Sequence, residues 1–302
     1  MENLLDALNQ LTDEEKNQLS DKQKKAIKTL VGSKPSVPFS AATVEDCANP
    51  GGLKLDLRNI YEDDAKLRIP DSIPTPVASD FLCEHLRRIK KAWWLTNKKA
   101  CRMLIDAVLT EVLLSESNDK LKGYCEVKGN WEGTELSYTG DVDYMFGSSQ
   151  LPVAKVTDTF VLVVEAKKEW HDSAVPQILC EAGCLLKKRL AAGKNTPVFA
   201  VLTNGTDFRF FAIDTDGVVY ASTKKMLEIG EDGTYKTSTS LTEIRRWINW
   251  FMTSIKSVSP RAPSKDLTNT MIAESLTKLR RCFGPKVPIH NKKRSRLKSG
   301  TV

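Results

Sequence analysis

Asp141 and Asp143 stand two apart in Thr139-Gly140-Asp141-Val142-Asp143-Tyr144-Met145-Phe146, and Glu165 and Lys167 stand two apart directly after the apolar run Val161-Leu162-Val163-Val164. Residues two apart in a strand share a face, so each pair is expected to point to one side of a sheet. A run like Val161–Val164 suits a central strand, which leaves the acid and the lysine behind it partly desolvated. If neighbouring strands bring Asp143 beside Glu165, the two carboxylates repel, and one of them binds its proton more tightly unless a cation lies between them. Mg²⁺ or Mn²⁺ would resolve that repulsion. Asp143, Glu165 and the carbonyl of Ala166 form a half-shell of oxygen ligands with room left for water and a phosphate. Lys167, on the face of Glu165, could position or help deprotonate an attacking water, or stabilise charge developing on phosphorus.

Three strands are expected around these residues: Gly123 to Trp131, Glu135 to Phe146 and Thr159 to Ala166, separated by turn signals at Gly133 and Gly147-Ser148-Ser149. They read as a meander. Ahead of them, Ser79 or Asp80 can cap a helix over Phe81–Trp94, and Thr96 or Asn97 a second over Lys98–Leu114. Behind them, Ala174–Leu190 has helical periodicity with Pro176 in its first turn, and it carries Gln177 and Glu181 four apart on one face. That pair is a solvated couple by default and joins the site if its face looks toward Glu165. Pro197–Thr203, Phe208–Asp214 and Val218–Ser222 resume strand character, and Leu241–Lys256 is a strong helix. Helix, three strands, helix, strand is a mixed α/β order.

The 302 residues, 41% apolar and 27% charged, suffice for a sizeable core, and no run is long and apolar enough for a membrane span. Glu2 and Asp6 stand where a secretory signal would carry Lys or Arg, and the seven cysteines are an odd number spread through apolar segments. An intracellular protein with reduced thiols is expected. The net charge of +7 is concentrated beyond Ser275, where nine Lys or Arg and no acid occur.

Four segments are expected. Residues 1–31 carry the stripe Leu4, Leu5, Leu8 and Leu11 and suit self-association or a protein partner; 32–78 are a proline-rich linker or an arm lying on a neighbour; 79–258 form the main domain; 259–302 are a helix and a basic tail.

Asp143, the Glu165-Ala166-Lys167 triplet behind an apolar strand, and Gln177 with Glu181 on the next helix together resemble the PD-(D/E)XK nuclease superfamily. The run Val198-Phe-Ala-Val-Leu-Thr-Asn-Gly-Thr-Asp-Phe-Arg-Phe-Phe-Ala212 is similar to the strand and hairpin in the branch found in Crinkler-type eukaryotic proteins. The resemblance covers residues 79–256. It implies a restriction-endonuclease-like mixed sheet flanked by helices, with helical extensions at both ends. It also implies metal-dependent hydrolysis of DNA, or of RNA, with Asp143, Glu165 and Ala166 holding Mg²⁺ or Mn²⁺, Lys167 catalytic and Gln177 at the site. Asp141, Glu111 and Glu181 are accessory candidates. Many members place a glutamate on the first helix; here Lys98 stands near that position, and Glu111 lies one helix-length later.

Lys168, Lys187, Lys188 and Arg189, with Lys292, Lys293, Arg294 and Arg296 of the tail, are candidates for nucleic-acid contact. The tail matches a short basic import signal equally well, which points to the nucleus. Trp93-Trp94 could stack on bases or belong to a core or interface. An inactive module of the same fold, binding nucleic acid or a protein, is the competing expectation.

Overall fold

The computed structural model describes residues 34–60, 67–71, 73–114, 121–148 and 162–258. The expectations for residues 1–31, for the C-terminal helix, and for Lys292, Lys293, Arg294 and Arg296 lie outside these residues.

Among the described residues, eight strands form one mixed sheet: β1 (Ser36–Pro38), β2 (Leu121–Glu132), β3 (Ser137–Ser148), β4 (Leu162–Ala166), β5 (Val198–Thr203), β6 (Asp207–Ile213), β7 (Val219–Ala221) and β8 (Lys225–Met226). The helices are α1 (Val44–Ala48), α2 (Asp80–Ala92), α3 (Lys98–Leu113), α4 (Val175–Ala191) and α5 (Thr239–Val258). β2, β3 and β4 pair antiparallel in sequence order. β5 then joins β4 in parallel, a connection that requires a crossover, and α4 provides it. The order helix, three strands, helix, strand is thus present as α3, β2–β4, α4 and β5.

Two apolar layers hold the sheet. On one face α2, α3 and α5 place Leu86, Leu104, Val108 and Phe251 against Phe146, Leu162, Val164, Phe199 and Phe210. On the other, α4 places Ile178, Leu179, Ala182 and Leu186 against Val142, Met145, Val163, Ala200 and Phe211. β4 is buried along its whole length, because both faces of this central strand are covered. No helix among the described residues is long and apolar enough to cross a membrane.

Residues 34–60 do not stand apart from this domain, so the border drawn at residue 79 marks no break in packing. β1 adds in parallel to β3 at Ser137–Thr139, and Phe39, Leu53, Leu55 and Leu57 are buried in the layer that contains α4. The Phe39 ring lies over Gly129 and Gly140, which pair across β2 and β3; a Cβ built on either would stand within 3 Å of that ring. The sequence hides this because prolines break the arm into short pieces, and burial of single side chains leaves no periodicity to read.

A second correction concerns β3. Val142 packs in the α4 layer and Tyr144 in the α3 layer, so strict alternation slips by one at Asp143. Asp141 and Asp143 therefore do not form a pair: Asp141 is exposed opposite Lys128, whereas Asp143 is buried. Across the ladder, between the pairs Cys125–Tyr144 and Val127–Val142, Glu126 has φ 53°, a left-handed conformation that is costly for a side chain of this type. A third correction concerns α2, which stops at Ala92, leaving Trp93 and Trp94 outside the helix and exposed.

Truncating Phe39 to alanine should cost about 3–5 kcal/mol, because the ring leaves a cavity between the arm and the hairpin. Urea unfolding of the full chain checks this. Unchanged stability would mean that the arm is not part of the core.

Candidate active site

The β3–β4 ladder runs from Phe146–Leu162 to Tyr144–Val164 and stops there. At the next step Asp143 turns its side chain into the gap, and its Oδ2 accepts the Ala166 N–H at 2.8 Å in place of a backbone carbonyl. Glu165, from the adjacent position of β4, points to the α4 side together with Lys167, whose Nζ lies 2.9 Å from Glu165 Oε1. Asp143 is 4% and Glu165 1% exposed, so two carboxylates are buried where the strands diverge.

Lys98, the first residue of α3, places its ammonium between them, 2.7 Å from Asp143 Oδ2 and 3.4 Å from Glu165 Oε1. Burial opposes the charge on Lys98, but the Asp143 hydrogen bond and the Glu165 charge outweigh it and raise its pKa above the ordinary lysine value. Glu165 also binds its proton more tightly than an ordinary glutamate: burial is the main cause and the Asp143 charge the second, against the opposing pull of Lys167 and Lys98. On the α4 side, Lys167 Nζ donates to Gln177 Oε1 at 2.5 Å, and Gln177 Nε2 donates to Glu181 Oε1 at 2.9 Å. Burial, and then the Glu165 charge, push the pKa of Glu181 well up. Glu165 Oε2 and Glu181 Oε2 are buried with no hydrogen-bond partner.

The structure thus brings together Asp143, Glu165, Ala166, Lys167, Gln177 and Glu181. It leaves out two of the accessory candidates. Asp141 faces solvent, and Glu111 lies 13 residues along α3 from Lys98, about 20 Å at 1.5 Å per residue. Glu111 instead accepts from the Ser79 N–H and hydroxyl at the start of α2 and pairs with Arg245 of α5, a structural link among three helices.

The basic candidates also divide. Lys168 is exposed beside the site and pairs with Glu169. Lys187 is half-buried, and burial with the nearby Lys54 charge lowers its pKa. Lys188 donates to Asn130, which pairs with Thr139, four residues along β3 from Asp143 and about 13 Å away. Arg189 is buried, its guanidinium donating to Thr196 Oγ1 at 2.6 Å, so it is a packing residue and not a surface contact.

No protein-family model and no curated protein matches the chain.

Sequence reasoning missed Arg102. Its guanidinium lies 3.4 Å from Asp143 Oδ1, donates to the Tyr144 hydroxyl at 3.1 Å and pairs with Glu126 at 2.5 Å. The Tyr144 hydroxyl donates onward to Asp106 at 2.7 Å. The signal was available, since Lys98, Arg102 and Asp106 are spaced by four and share one helical face. Arg102 also accounts for the strained Glu126, whose carboxylate it holds opposite Asp143. Among the described residues, no group of three or more His, Cys, Asp or Glu side chains is arranged to hold a metal ion.

The folded chain keeps a proton on Glu181 at pH values where the unfolded chain has released it. Its contribution to stability is therefore full below the ordinary value of 4.5 and falls as the pH rises above it. Glu181→Gln keeps the acceptor for Gln177 and removes the titration. Its melting temperature should exceed that of the wild type at about pH 8 and converge with it toward about pH 5. Parallel melting curves across this range would remove Glu181 as a buried neutral acid.

Proposed function

We propose that this chain is a phosphodiesterase of the PD-(D/E)XK type with a restriction-endonuclease-like core, cutting DNA in preference to RNA with Mg²⁺ or Mn²⁺. The observation that carries the reading is the convergence of Asp143, Glu165 and Lys167 where two central strands diverge, within a helix, three strands, helix, strand order. The basic tail supports a nucleic-acid substrate and a nuclear location.

The donor set fits a hard cation. Two carboxylates converge on one point, and the Lys98 ammonium already lies there as a positive group, at 2.7 and 3.4 Å. Glu165 Oε2 is a buried acceptor in want of a partner. Asp143 and Glu165, with the Ala166 carbonyl, would hold the cation. When bound, such a cation lowers the pKa of its water and offsets charge on the phosphate.

The protein side chains do the rest. The Ala166 N–H fixes Asp143 Oδ2, which removes rotamer freedom from the carboxylate. Gln177 holds Lys167 Nζ from the α4 side, and the lysine keeps 26% of its side chain exposed, so it can meet a phosphate oxygen or a water entering from solvent. As an ammonium it stabilises negative charge on phosphorus.

A second reading, that the fold serves only to bind, is favoured by the same Lys98: with Lys167 and Arg102 it already balances the buried carboxylates.

Incubating single- and double-stranded DNA and RNA with Mg²⁺, Mn²⁺ or EDTA separates the two. Metal-dependent cutting is expected, reduced by about 10²–10⁴-fold in Glu165→Gln and Lys167→Ala with unchanged circular dichroism. Absence of cutting, with salt-sensitive binding by all three proteins, would establish the binding module. Lys98→Met takes a competing charge out of the cation position and should tighten Mn²⁺ binding by about tenfold, or about 1.4 kcal/mol, as read by electron paramagnetic resonance of free Mn²⁺. Equal or weaker binding would mean that the ammonium does not stand in the cation's place.

A further inference from the structure

Trp93 is 57% and Trp94 88% exposed, although indoles ordinarily lose most of their surface on folding. They lie in the short connection between α2 and α3, which is fixed from both ends. The Trp93 N–H donates to the Ile89 carbonyl at 3.0 Å, the Thr96 N–H donates to the Trp94 carbonyl at 2.9 Å, and Asn97 caps α3. The connection is also tied to the site. Cys101 Sγ lies 3.7 Å from both the Leu95 carbonyl and the Lys168 carbonyl, so the residue after Trp94 and the residue after Lys167 share one neighbour. Four residues beyond Trp94, Lys98 holds Asp143 and Glu165.

The chain on either side of the tryptophans is basic. No acid occurs between Glu84 and Asp106, and Lys91 and Lys99 are exposed on either side of the tryptophans. An apolar protein partner would leave that one-sided charge unanswered, whereas a polyanion with flat apolar rings answers both features at once. A duplex keeps the faces of its bases stacked inside, so the complementary polyanion is one whose bases are unpaired.

We propose that Trp93 and Trp94 form a stacking platform for unpaired bases of a single-stranded nucleic acid, with Lys91 and Lys99 on its phosphates, and that the platform leads the strand to the Asp143–Glu165 site. The platform deepens the phosphodiesterase reading and rests on it for the destination of the strand. Stacking itself is a binding property and is measured with the chemistry silenced.

The test uses the full chain in EDTA and fluorescence anisotropy of labelled oligothymidine, oligouridine and a blunt DNA duplex over a range of salt concentrations. The single strand should bind more tightly than the duplex. Trp93→Ala and Trp94→Ala should each weaken single-strand binding by roughly tenfold, and Trp94→Phe should restore most of the loss. The salt dependence should be the same in all variants, because the rings touch no phosphate. Preference for the deoxy or the ribo strand identifies the sugar, and either supports the platform.

Alanine variants that bind like the wild type, a preference for the duplex, or a change in oligomeric state on size exclusion without a change in affinity would overturn it. Cleavage in Mn²⁺ is read separately. Ring-dependent binding without any cutting removes the phosphodiesterase and leaves the platform; wild-type cutting of duplex by the double alanine variant, with no single-strand preference, does the reverse.

Discussion

Two carboxylates buried side by side set the requirement that the surrounding elements meet. Each charge taken from water costs several kcal/mol even after relaxation, and mutual repulsion adds to it. The chain answers with three cations: Lys98 and Arg102 from α3, and Lys167 just beyond β4. A backbone N–H on Asp143 adds to the compensation, while burial raises the pKa of Glu181. Such an arrangement is a poor way to gain stability, since an apolar cluster of the same volume would do at least as well. Its persistence in the middle of an otherwise apolar sheet is an argument for chemistry or recognition.

The fork that creates the site is itself a compromise. β3 and β4 must pair tightly at Tyr144–Val164 to keep the central strand buried, and must separate at the following step to admit the Asp143 side chain. The slip in alternation at Asp143 and the left-handed backbone of Glu126 occur at the same step, where local regularity gives way. Strain of about 1–3 kcal/mol at such a residue survives because Arg102 holds its carboxylate and the flanking pairs stay in register.

Much of this was legible in the sequence. Among the described residues, periodicity located the long helices and strands to within a few residues, because each has one strongly apolar side or a continuous apolar run. The shared face of Glu165 and Lys167 was legible because two-residue spacing in a strand translates directly into a face, whereas spacing alone read Gln177 and Glu181 as a solvated pair. Asp141 was misjudged because spacing of two implies a shared face only while the strand alternates, and nothing local marks the slip. Glu111 and Arg189 were misread for a different reason: a charge in a sequence carries no sign of its partner, and Ser79, Arg245 and Thr196 lie on other elements. For residues 32–78 a linker and an arm lying on a neighbour were both open, and the partners of the arm were illegible because their packing is a long-range event, in which Phe39 meets glycines about a hundred residues later in the chain.

The arm has one more effect. Val175 to Leu186 of α4 are buried without interruption, Gln177 and Glu181 included, so the helix must be covered on its outer side as well as against the sheet. Leu53 and Leu55 lie against Gly183 and supply that cover. The Glu165 side of the sheet is therefore backed by α4 and the arm. The site still meets solvent through the Lys98 side chain, 42% exposed, and the Lys167 side chain, 26% exposed. By closing the outer side of α4, the layer farthest from the acids helps to leave them in touch with solvent through the very cations that neutralise them.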